Sequence, residues 1–429
     1  MSIEKEQFDI KTYLSEFSFI KNEGLFQDEQ KTDIEYLAIE NNRKIPKFIN
    51  EFWTSKQRQA NAIHEVSYRA CFKPQLPNFF ITLLTKPNDI VYDPFTGRGT
   101  TIIESALLAR NVVSNDLNPL SKILCRPRLF VPDLQSIQKR VDDIPLIEQI
   151  TDQKNDIDLS MFYHKDTLRE ITSIKEYLAE KDKSNKEDDV DSWIRMVATN
   201  RLTGHSTGFF SVYTLPPNQA VSPQNQIKIN AKRNQIPEYR NTKEIIIKKT
   251  RDLIKNLDKK QVKILREIGN KAIFLNKDAI DTNEIPDNSI QLTVTSPPFL
   301  DIVQYADDNW LRCWFNNIDS DKVGKNITMS KKIEDWSEVM SKVFKQLYRI
   351  TKINGYVAFE VGEVRNGKVK LDEHIVRIGI NQGFSCEGIM INEQMFTKTA
   401  NIWGVSNNQK GTNSNRIVLF KKNDNAPLI

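Results

Sequence analysis

Short apolar runs alternate with helix-like stretches in two separate parts of the chain. The first run, residues 89–92, leads into a glycine-rich turn at 93–100 and then into an apolar helix face at 101–110. A second apolar run follows at 112–115 and ends at Asp116. Strand, turn, helix and strand in this order predict a βαβ unit.

Five further apolar runs lie in the second half of the chain, with one amphipathic helix among them. In this helix the apolar residues recur every three or four positions and therefore share one face: Ile333, Trp336, Met340, Phe344, Leu347 and Ile350. The runs predict strands at 272–275, 290–295, 356–359, 386–391 and 416–420. Strands that alternate with helices predict an α/β, Rossmann-like fold with a mostly parallel, seven-stranded sheet.

Residues 127–263 interrupt this pattern between the second and third predicted strands. The end of this segment, 228–263, has 12 Lys and Arg against 4 Asp and Glu, a local net charge of +8. Because a structureless loop of this length is unusual in a compact fold, we expect an inserted, largely helical subdomain. The first 50 residues are polar and of mixed charge, which predicts a helical or irregular extension. The predicted domains are an N-terminal extension at 1–64, a first part at 65–126, the insertion at 127–263 and a second part at 264–429.

Composition narrows the classes of function without choosing one. The 429 residues are 39% hydrophobic and 27% charged, which allows a sizeable core and argues against wholesale disorder. No apolar run reaches the roughly 20 residues of a membrane span, and the charged N-terminus is unlike a signal peptide. Four dispersed cysteines and four dispersed histidines show no disulfide or metal pattern, so we expect a cytoplasmic protein without a metal. The net charge of +5 permits a nucleic-acid partner but does not require one.

The glycine-rich turn, DPFTGRGT at 93–100, has the features of a cofactor site. Gly97 and Gly99 allow a tight turn and the close approach of a ligand, and the helix that follows offers unpaired N–H groups. Asp116, after the next strand, can accept the two ribose hydroxyls of an adenosine-type cofactor. The glycine spacing fits neither the dinucleotide pattern nor a phosphate loop, which disfavours NAD and ATP. The alternative is a tight turn of an ordinary α/β protein.

A second motif, Ser-Pro-Pro-Phe at 296–299, follows a predicted strand. Its prolines hold the loop extended. The Ser296 hydroxyl and the Pro297 carbonyl can then accept the two N–H groups of an exocyclic amine and aim its lone pair at a methyl donor. Phe299 offers a flat apolar face to a base drawn out of a helix. The alternative is an ordinary proline turn. The chain has no Pro-Cys dipeptide, so covalent catalysis by a thiolate is not expected.

Together and in this order, DPFTGRGTT and SPPF resemble the amino-methyltransferases that use S-adenosylmethionine to methylate exocyclic nitrogens of DNA bases. The resemblance covers about residues 65–126 and 264–422. It implies a class I methyltransferase fold with S-adenosyl-L-methionine as cofactor. The residues that it implies for cofactor binding are Phe72, Lys73, Asp93, Pro94, Phe95, Gly97, Gly99, Thr100, Thr101, Asp116, Asp278 and Ala279. The implied catalytic loop is Ser296, Pro297, Pro298 and Phe299.

The first residue of the catalytic motif bears on which base is methylated. In the family that the chain resembles, Asp-Pro-Pro-Tyr is typical of adenine-N6 enzymes, and Ser-Pro-Pro-Tyr or Ser-Pro-Pro-Phe of cytosine-N4 enzymes. Ser296 and Phe299 therefore favour cytosine N4, with adenine N6, an RNA amine methyltransferase and an inactive DNA-binding relative as alternatives. We expect the modification enzyme of a restriction–modification or related defence system. Its expected partners are double-stranded DNA and a cognate restriction endonuclease as a separate chain.

The insertion is the natural part of the chain to hold DNA. Its basic end can neutralise phosphates, and its polar centre carries side chains able to bond base edges. The residues predicted to contact DNA are Arg201, His205, Asn218, Gln219, Lys228, Lys232 and Arg233. The family usually places its recognition region between later motifs, so this assignment rests on size and charge alone. A solvated basic helix with a structural loop is the alternative.

Overall fold

The protein is represented by a computed structural model. The structure describes residues 8–23, 26–40, 42–53, 60–68, 71–148, 157–214, 221–298, 305–326, 332–364, 369–393 and 414–424.

Strands and helices alternate along most of the described chain. The strands are β1 (Ser18–Glu23), β2 (Phe26–Lys31), β3 (Asp33–Ala38), β4 (Lys44–Asn50), β5 (Ile90–Asp93), β6 (Asn111–Asn115), β7 (Ile273–Leu275), β8 (Ile290–Thr295), β9 (Thr351–Val361), β10 (Glu363–Val364), β11 (Val369–Lys370), β12 (Ser385–Glu393) and β13 (Ser414–Lys421). The helices are α1 (Ile10–Glu16), α2 (Gln75–Leu84), α3 (Thr100–Leu107), α4 (Leu120–Cys125), α5 (Leu134–Asp143), α6 (Lys165–Lys183), α7 (Asp189–Arg201), α8 (Pro223–Arg233), α9 (Thr242–Ile254), α10 (Lys259–Gly269), α11 (Tyr305–Phe315), α12 (Ser320–Asn326), α13 (Ile333–Ile350) and α14 (Leu371–Asn381). Two short 3-10 helices cover Ala62–His64 and Arg126–Leu129.

The central sheet has the strand order β3-β4-β12-β13-β9-β8-β5-β6-β7. Five of its described neighbouring pairs are parallel, and the three antiparallel pairs involve β13 or β3. All seven strands predicted from the sequence are present, and the predicted α/β, Rossmann-like class is confirmed. The sheet has nine strands rather than seven, because the N-terminal segment adds a hairpin, β3–β4, whose second strand runs parallel to β12. The segment contains the short helix α1, but most of its described residues after α1 form the strands β1 to β4 rather than the helical or irregular extension expected.

Side chains alternate between the two faces of the sheet, as the two-residue period of a strand requires. On one face Val91, Leu292 and Ala358 pack with α1 and α2. On the other face Tyr92 and Phe359 pack with α13 and α14. Both faces are therefore covered, which explains why these strands are continuous apolar runs in the sequence.

The insertion is helical, as predicted, and its helices begin at well-formed caps. Asp188 and Asp258 each accept a backbone N–H three residues on, and the residue at that position bonds back to the cap, so α7 and α10 both open with a capping box. The inserted helices share a core with α3, in which Ile103 contacts the same cluster as Trp193 and Leu265. The insertion therefore extends one helical layer of the fold.

The order of the strands fixes where a ligand can bind. From β5 the chain proceeds outward through β6 to β7 and then returns to the other side of β5 with β8 and β9. In open α/β sheets ligands bind beyond the carboxyl ends of the strands at such a switch point.

The described helices include none long and apolar enough to cross a membrane.

Candidate functional site

A cleft of about 910 Å³, including its open mouth, lies at the carboxyl ends of the switch-point strands. Its walls combine polar groups from four successive loops with apolar side chains of α13. The lining residues are Tyr68, Pro94, Phe95, Gly97, Asp116, Leu117, Asn118, Lys277, Asp278, Ala279, Ser296, Pro298, Trp336, Val339, Met340 and Val343. The cofactor motif and the catalytic motif, which lie about 200 residues apart in sequence, thus face one cavity.

The glycine-rich turn after β5 needs both of its glycines. Gly97 and Gly99 have φ angles of +52° and +82°, in the left-handed region that other residues rarely adopt. A Cβ on Gly99 would also lie 2.4 Å from the Cys125 sulfur. The turn can therefore pass close under a ligand only with glycine at these positions.

Asp116 joins this turn to the end of β6. One carboxylate oxygen accepts the Gly97 N–H at 2.7 Å, and the other accepts the Asn118 N–H at 2.8 Å. Burial raises the pKa of Asp116 to about 6. Each oxygen keeps a second lone pair, so the carboxylate can still accept hydroxyl groups from a ligand in the cleft.

Asp93 lies beneath the cleft, where it joins β5 to β8. Its Oδ1 accepts the Thr295 hydroxyl at 2.6 Å and the Phe95 N–H at 3.1 Å. Burial raises the pKa of Asp93 to about 7. The Thr101 hydroxyl donates to the Val294 carbonyl at 3.1 Å and forms a second link between the cofactor motif and β8, the strand that leads into the catalytic loop.

Of the remaining residues predicted to bind the cofactor, some line the cleft and others lie behind its lining. Asp278 and Ala279 line the cleft after β7, together with Lys277. Thr100 is buried at the start of α3, where its hydroxyl accepts from Arg98 at 3.1 Å.

Phe72 and Lys73 lie outside the cleft lining. The Phe72 carbonyl accepts from the Arg98 guanidinium at 3.2 Å, and the Val66 carbonyl accepts from the same group at 3.1 Å. Arg98 therefore attaches the segment before α2 to the glycine-rich turn.

The catalytic loop extends from β8 into the cleft. Ser296 and Pro298 line the wall, and Pro297 is buried. The Trp336 indole donates to the Pro298 carbonyl at 3.0 Å and fixes the end of the described loop. Phe299 lies outside the described residues, so its predicted role stays a prediction.

Glu360, near the end of β9, is a site residue that the sequence analysis missed. Its carboxylate is hydrogen-bonded to Ser296 and accepts the Asn415 amide at 2.5 Å. The residue is 8% exposed, and burial raises the pKa of Glu360 to about 7. The available signal was an acid near the carboxyl end of an apolar strand, the same signal that identified Asp116.

Several apolar cleft residues were predicted only as core. Trp336 and Met340 lie on the amphipathic face of α13, and their spacing predicted packing against the sheet. Both line the cleft, because this face extends past the carboxyl ends of the strands. One apolar face of α13 therefore contributes both to the core and to the ligand site. The spacing of apolar residues in the sequence cannot tell these two roles apart.

The residues predicted to contact DNA lie in different surroundings. His205, Lys228 and Lys232 are exposed, and the exposed Arg233 stacks on Tyr213 with 3.7 Å between the guanidinium carbon and the ring centre. Arg201 is only 8% exposed. Asn218 and Gln219 lie outside the described residues. Within the described part of the chain, His, Cys, Asp and Glu form no group of three that could hold a metal ion.

Comparisons with known proteins agree with the motifs. The sequence profile of a family described as DNA methylase (N6_N4_Mtase) matches residues 9–122. The Type II methyltransferase M.MjaII of Methanocaldococcus jannaschii is 28% identical over 91 residues, which are 21% of this chain and 17% of that protein. The chain thus matches less than two thirds of that relative's length.

Among solved structures, TrmN from Thermus thermophilus is 11% identical, with 82% of this chain and 50% of that chain covered and a TM-score of 0.32. A SAM-dependent methyltransferase from Methanosarcina mazei is 10% identical, with 80% and 97% covered and a TM-score of 0.31.

The sheet order and the switch-point cleft define a Rossmann-like class I methyltransferase fold. The resemblance of the chain to the DNA amino-methyltransferases is confirmed by the family profile and the Type II relative. The profile match begins at residue 9, so our expectation that the resemblance starts near residue 65 is wrong. The added strands β3 and β4 lie inside the matched region.

Proposed function

We propose that the protein is a site-specific DNA methyltransferase that moves a methyl group from S-adenosyl-L-methionine to the exocyclic N4 of a flipped cytosine. One observation carries the proposal: Ser296 of the SPPF motif faces the same cleft as Gly97 and Asp116. A methyl donor held by the glycine-rich turn and an amine held at Ser296 would therefore share one cavity.

The residues of the cleft fit the cofactor. Asp116 can accept the ribose hydroxyls, and the absence of a side chain at Gly97 leaves room for the methionine end. Asp278 can accept the adenine amino group, and Leu117 and Met340 offer apolar contact to the ring. When bound, the cofactor supplies an electrophilic methyl group on a sulfonium.

The chain's own groups prepare the amine. An exocyclic amine is a weak nucleophile because its lone pair is conjugated with the ring. The Ser296 hydroxyl and the Pro297 carbonyl accept its two N–H groups and favour a pyramidal nitrogen whose lone pair is free.

Glu360 completes this arrangement from behind. When ionised, its carboxylate accepts the Ser296 hydroxyl proton, so the serine oxygen turns its lone pairs toward the amine. As the nitrogen becomes positive, its proton can pass to the Ser296 oxygen while the serine proton passes to Glu360. Glu360 acts through Ser296 and is in our proposal a positioning residue and proton acceptor.

The choice of base and the biological setting are part of the same proposal. Ser296 and Phe299 favour cytosine N4 over adenine N6, through the resemblance given above. A modification role in a restriction–modification system is supported by the Type II name of the relative from M. jannaschii. The enzyme then works in the cytoplasm on double-stranded DNA, beside a separate cognate endonuclease.

Nucleoside mass spectrometry of DNA from a host that expresses the protein tests the proposal. We expect N4-methylcytosine that is absent when Ser296→Ala is expressed. N6-methyladenine in its place would overturn the choice of base, and an unmodified genome with a folded, cofactor-binding protein would overturn the proposed function. Sequencing of the methylated positions would also give the recognition site.

A further inference from the structure

A second pocket opens beside the cleft, between the glycine-rich turn and the inserted helices. Its lining comes from the segment before α2, from the turn and from the insertion: Glu65, Val66, Ser67, Tyr68, Cys71, Arg98, Arg201, Phe209 and Lys249. Tyr68 lines both this pocket and the cleft, so the two are neighbours. We call it the basic pocket.

The walls of the basic pocket carry more positive than negative charge. Three cationic side chains, Arg98, Arg201 and Lys249, face a single acid, Glu65. Glu65 pairs with Lys249 at 3.5 Å, and its own side chain is 57% exposed. Outside the lining, Asp252 also attracts Arg201 and Lys249, and Arg312 adds a further cation near Arg201, so the surroundings of the pocket keep an excess of positive charge.

Arg201 is the most unusual of these cations. It is 8% exposed, donates to the backbone and side-chain oxygens of Asn200, and stacks on Phe209 at 3.9 Å. Within the described part of the chain no carboxylate forms an ion pair with it. Burial, and then the nearby guanidinium of Arg312, lower the pKa of Arg201 to about 10. A buried charge of this kind gains free energy when an anion enters the pocket.

The position of the pocket points to one kind of anion. A nucleotide that leaves the duplex carries its phosphates with it, and those phosphates must be held next to the catalytic cleft. Guanidinium and ammonium groups carry several N–H donors and a positive charge, and both suit the oxygens of a phosphate. Arg201 and Lys249 come from the insertion, and Arg98 comes from the cofactor turn, so both parts of the chain would hold the same group.

We propose that the basic pocket binds the DNA backbone phosphate next to the target nucleotide. This inference rests on the proposed function and assigns to Arg201 phosphate binding in place of the base contact predicted from sequence. The insertion then acts as a backbone clamp for the cleft in addition to any role in reading sequence.

The test compares DNA affinity across salt concentrations for wild type, Arg201→Gln and Lys249→Gln. The control is Lys86→Gln, whose exposed side chain lies outside the insertion, just before β5 and at the opposite end of that strand from the cleft. Fluorescence anisotropy with a labelled duplex, from about 50 to about 300 mM salt, gives the affinity and its salt slope. We expect each pocket variant to bind about tenfold more weakly, on cognate and unrelated duplexes alike, with a slope smaller by about 1. The control should match wild type, and cofactor affinity by calorimetry should be unchanged throughout.

Pocket variants that melt and bind cofactor like wild type but keep the wild-type DNA affinity and slope would overturn the proposal. If Arg201→Gln does not fold, Arg201→Lys and Lys249→Gln carry the test, and the lysine variant should keep the slope but bind more weakly. The binding measurement does not depend on methyl transfer, so the two proposals can fail separately. Wild type that binds DNA but never methylates it would reject the proposed function. A smaller salt slope of DNA binding in the variants would still support the basic pocket in that case. Salt-sensitive binding of RNA but not DNA would overturn the assignment to DNA.

Discussion

At the residue scale, three carboxylates surround the cleft: Asp93 and Glu360 are buried, and Asp116 is half-buried. Each lies at or just past the carboxyl end of a parallel strand, and burial raises the pKa of each, to about 7, 6 and 7 respectively. Their protonation states therefore change near neutral pH, in the range where the enzyme would work. Two of the three have direct consequences for ligand binding and turnover.

Asp116 should govern cofactor affinity. Asp116→Asn removes the charged acceptor for the ribose hydroxyls, so we expect S-adenosylmethionine to bind about 10- to 100-fold more weakly by calorimetry. In wild type the affinity should rise with pH through about 6, because the carboxylate form is the better acceptor. The variant should lose this pH dependence. Asp281→Asn, at an exposed acid that follows β7, is the matched control, and equal affinities for the two variants would contradict the assignment.

Glu360 should govern turnover and leave cofactor binding nearly unchanged. Wild-type kcat should rise with pH through about 7, as the carboxylate ionises and accepts the Ser296 proton. We expect Glu360→Gln to lower kcat at pH 8 about tenfold or more and to abolish the rise. Glu338→Gln, at an exposed position of α13, is the control. A Glu360→Gln enzyme that keeps the rise would show that another group, such as Asp93, produces it.

At the scale of elements, the turn between β5 and α3 is tightly constrained. Gly99→Ala places a Cβ at φ +82° and 2.4 Å from the Cys125 sulfur. We expect a lower melting temperature and cofactor affinity reduced by an order of magnitude or more, because the turn must shift under the ligand. Gly208→Ala is a matched control, since its Cβ would meet its nearest atom only at 3.6 Å. A Gly99→Ala protein with wild-type melting and cofactor affinity would contradict this description of the turn.

Elements with strong periodicity could be predicted from the sequence, and elements stabilised by partners could not. The strands at 89–92 and 290–295 are buried on both faces and stand out as apolar runs. Strand β3 is an edge strand with mostly exposed side chains, so it carries little apolar pattern. β3 forms on the outer side of β4, and β4 itself is held in the sheet by its parallel pairing with β12. Asn392 on β12 also accepts the N–H groups of Phe52 and Trp53 just after β4.

The residues of the candidate site also fall into those that the sequence could predict and those that it could not. Gly97, Asp116 and Ser296 lie in motifs with local chemical meaning, and the fold places them around one cleft. Glu360 carries no motif of its own, and its role depends on contacts with Ser296 and with Asn415, 55 residues further along the chain. The basic pocket likewise needs three separate segments to meet, which spacing along the chain does not reveal.

At the scale of the whole molecule, these three carboxylates link the free energy of unfolding to pH. Their folded-state pKa values are raised, so the folded chain binds more protons than the unfolded chain between about pH 4 and pH 7. Their contribution to stability is therefore present at low pH and is lost as pH rises through about 7. We expect the free energy of unfolding of the cofactor-free protein, from urea titrations, to decline over this range because of these groups. Glu360→Gln should weaken the decline, and an unchanged pH profile in that variant would contradict the assigned burial.

The insertion is continuous with the rest of the fold in its packing but differs from it in its charge. Its helices pack on α3 in a shared core, and its end carries a local net charge of +8 against +5 for the whole chain. The remainder of the chain is thus slightly acidic. We propose that this distribution places the DNA against the insertion, with the basic pocket at the point where the insertion meets the cleft.

Transfer of a labelled methyl group by the purified protein tests the central claim most directly. Wild type and Ser296→Ala are incubated with labelled S-adenosylmethionine and either duplex DNA or RNA, after calorimetry has shown that both proteins bind the cofactor. We expect label in DNA with wild type, little or none with Ser296→Ala, and none in RNA. Label in RNA alone, or equal labelling of DNA by the two proteins, would contradict it.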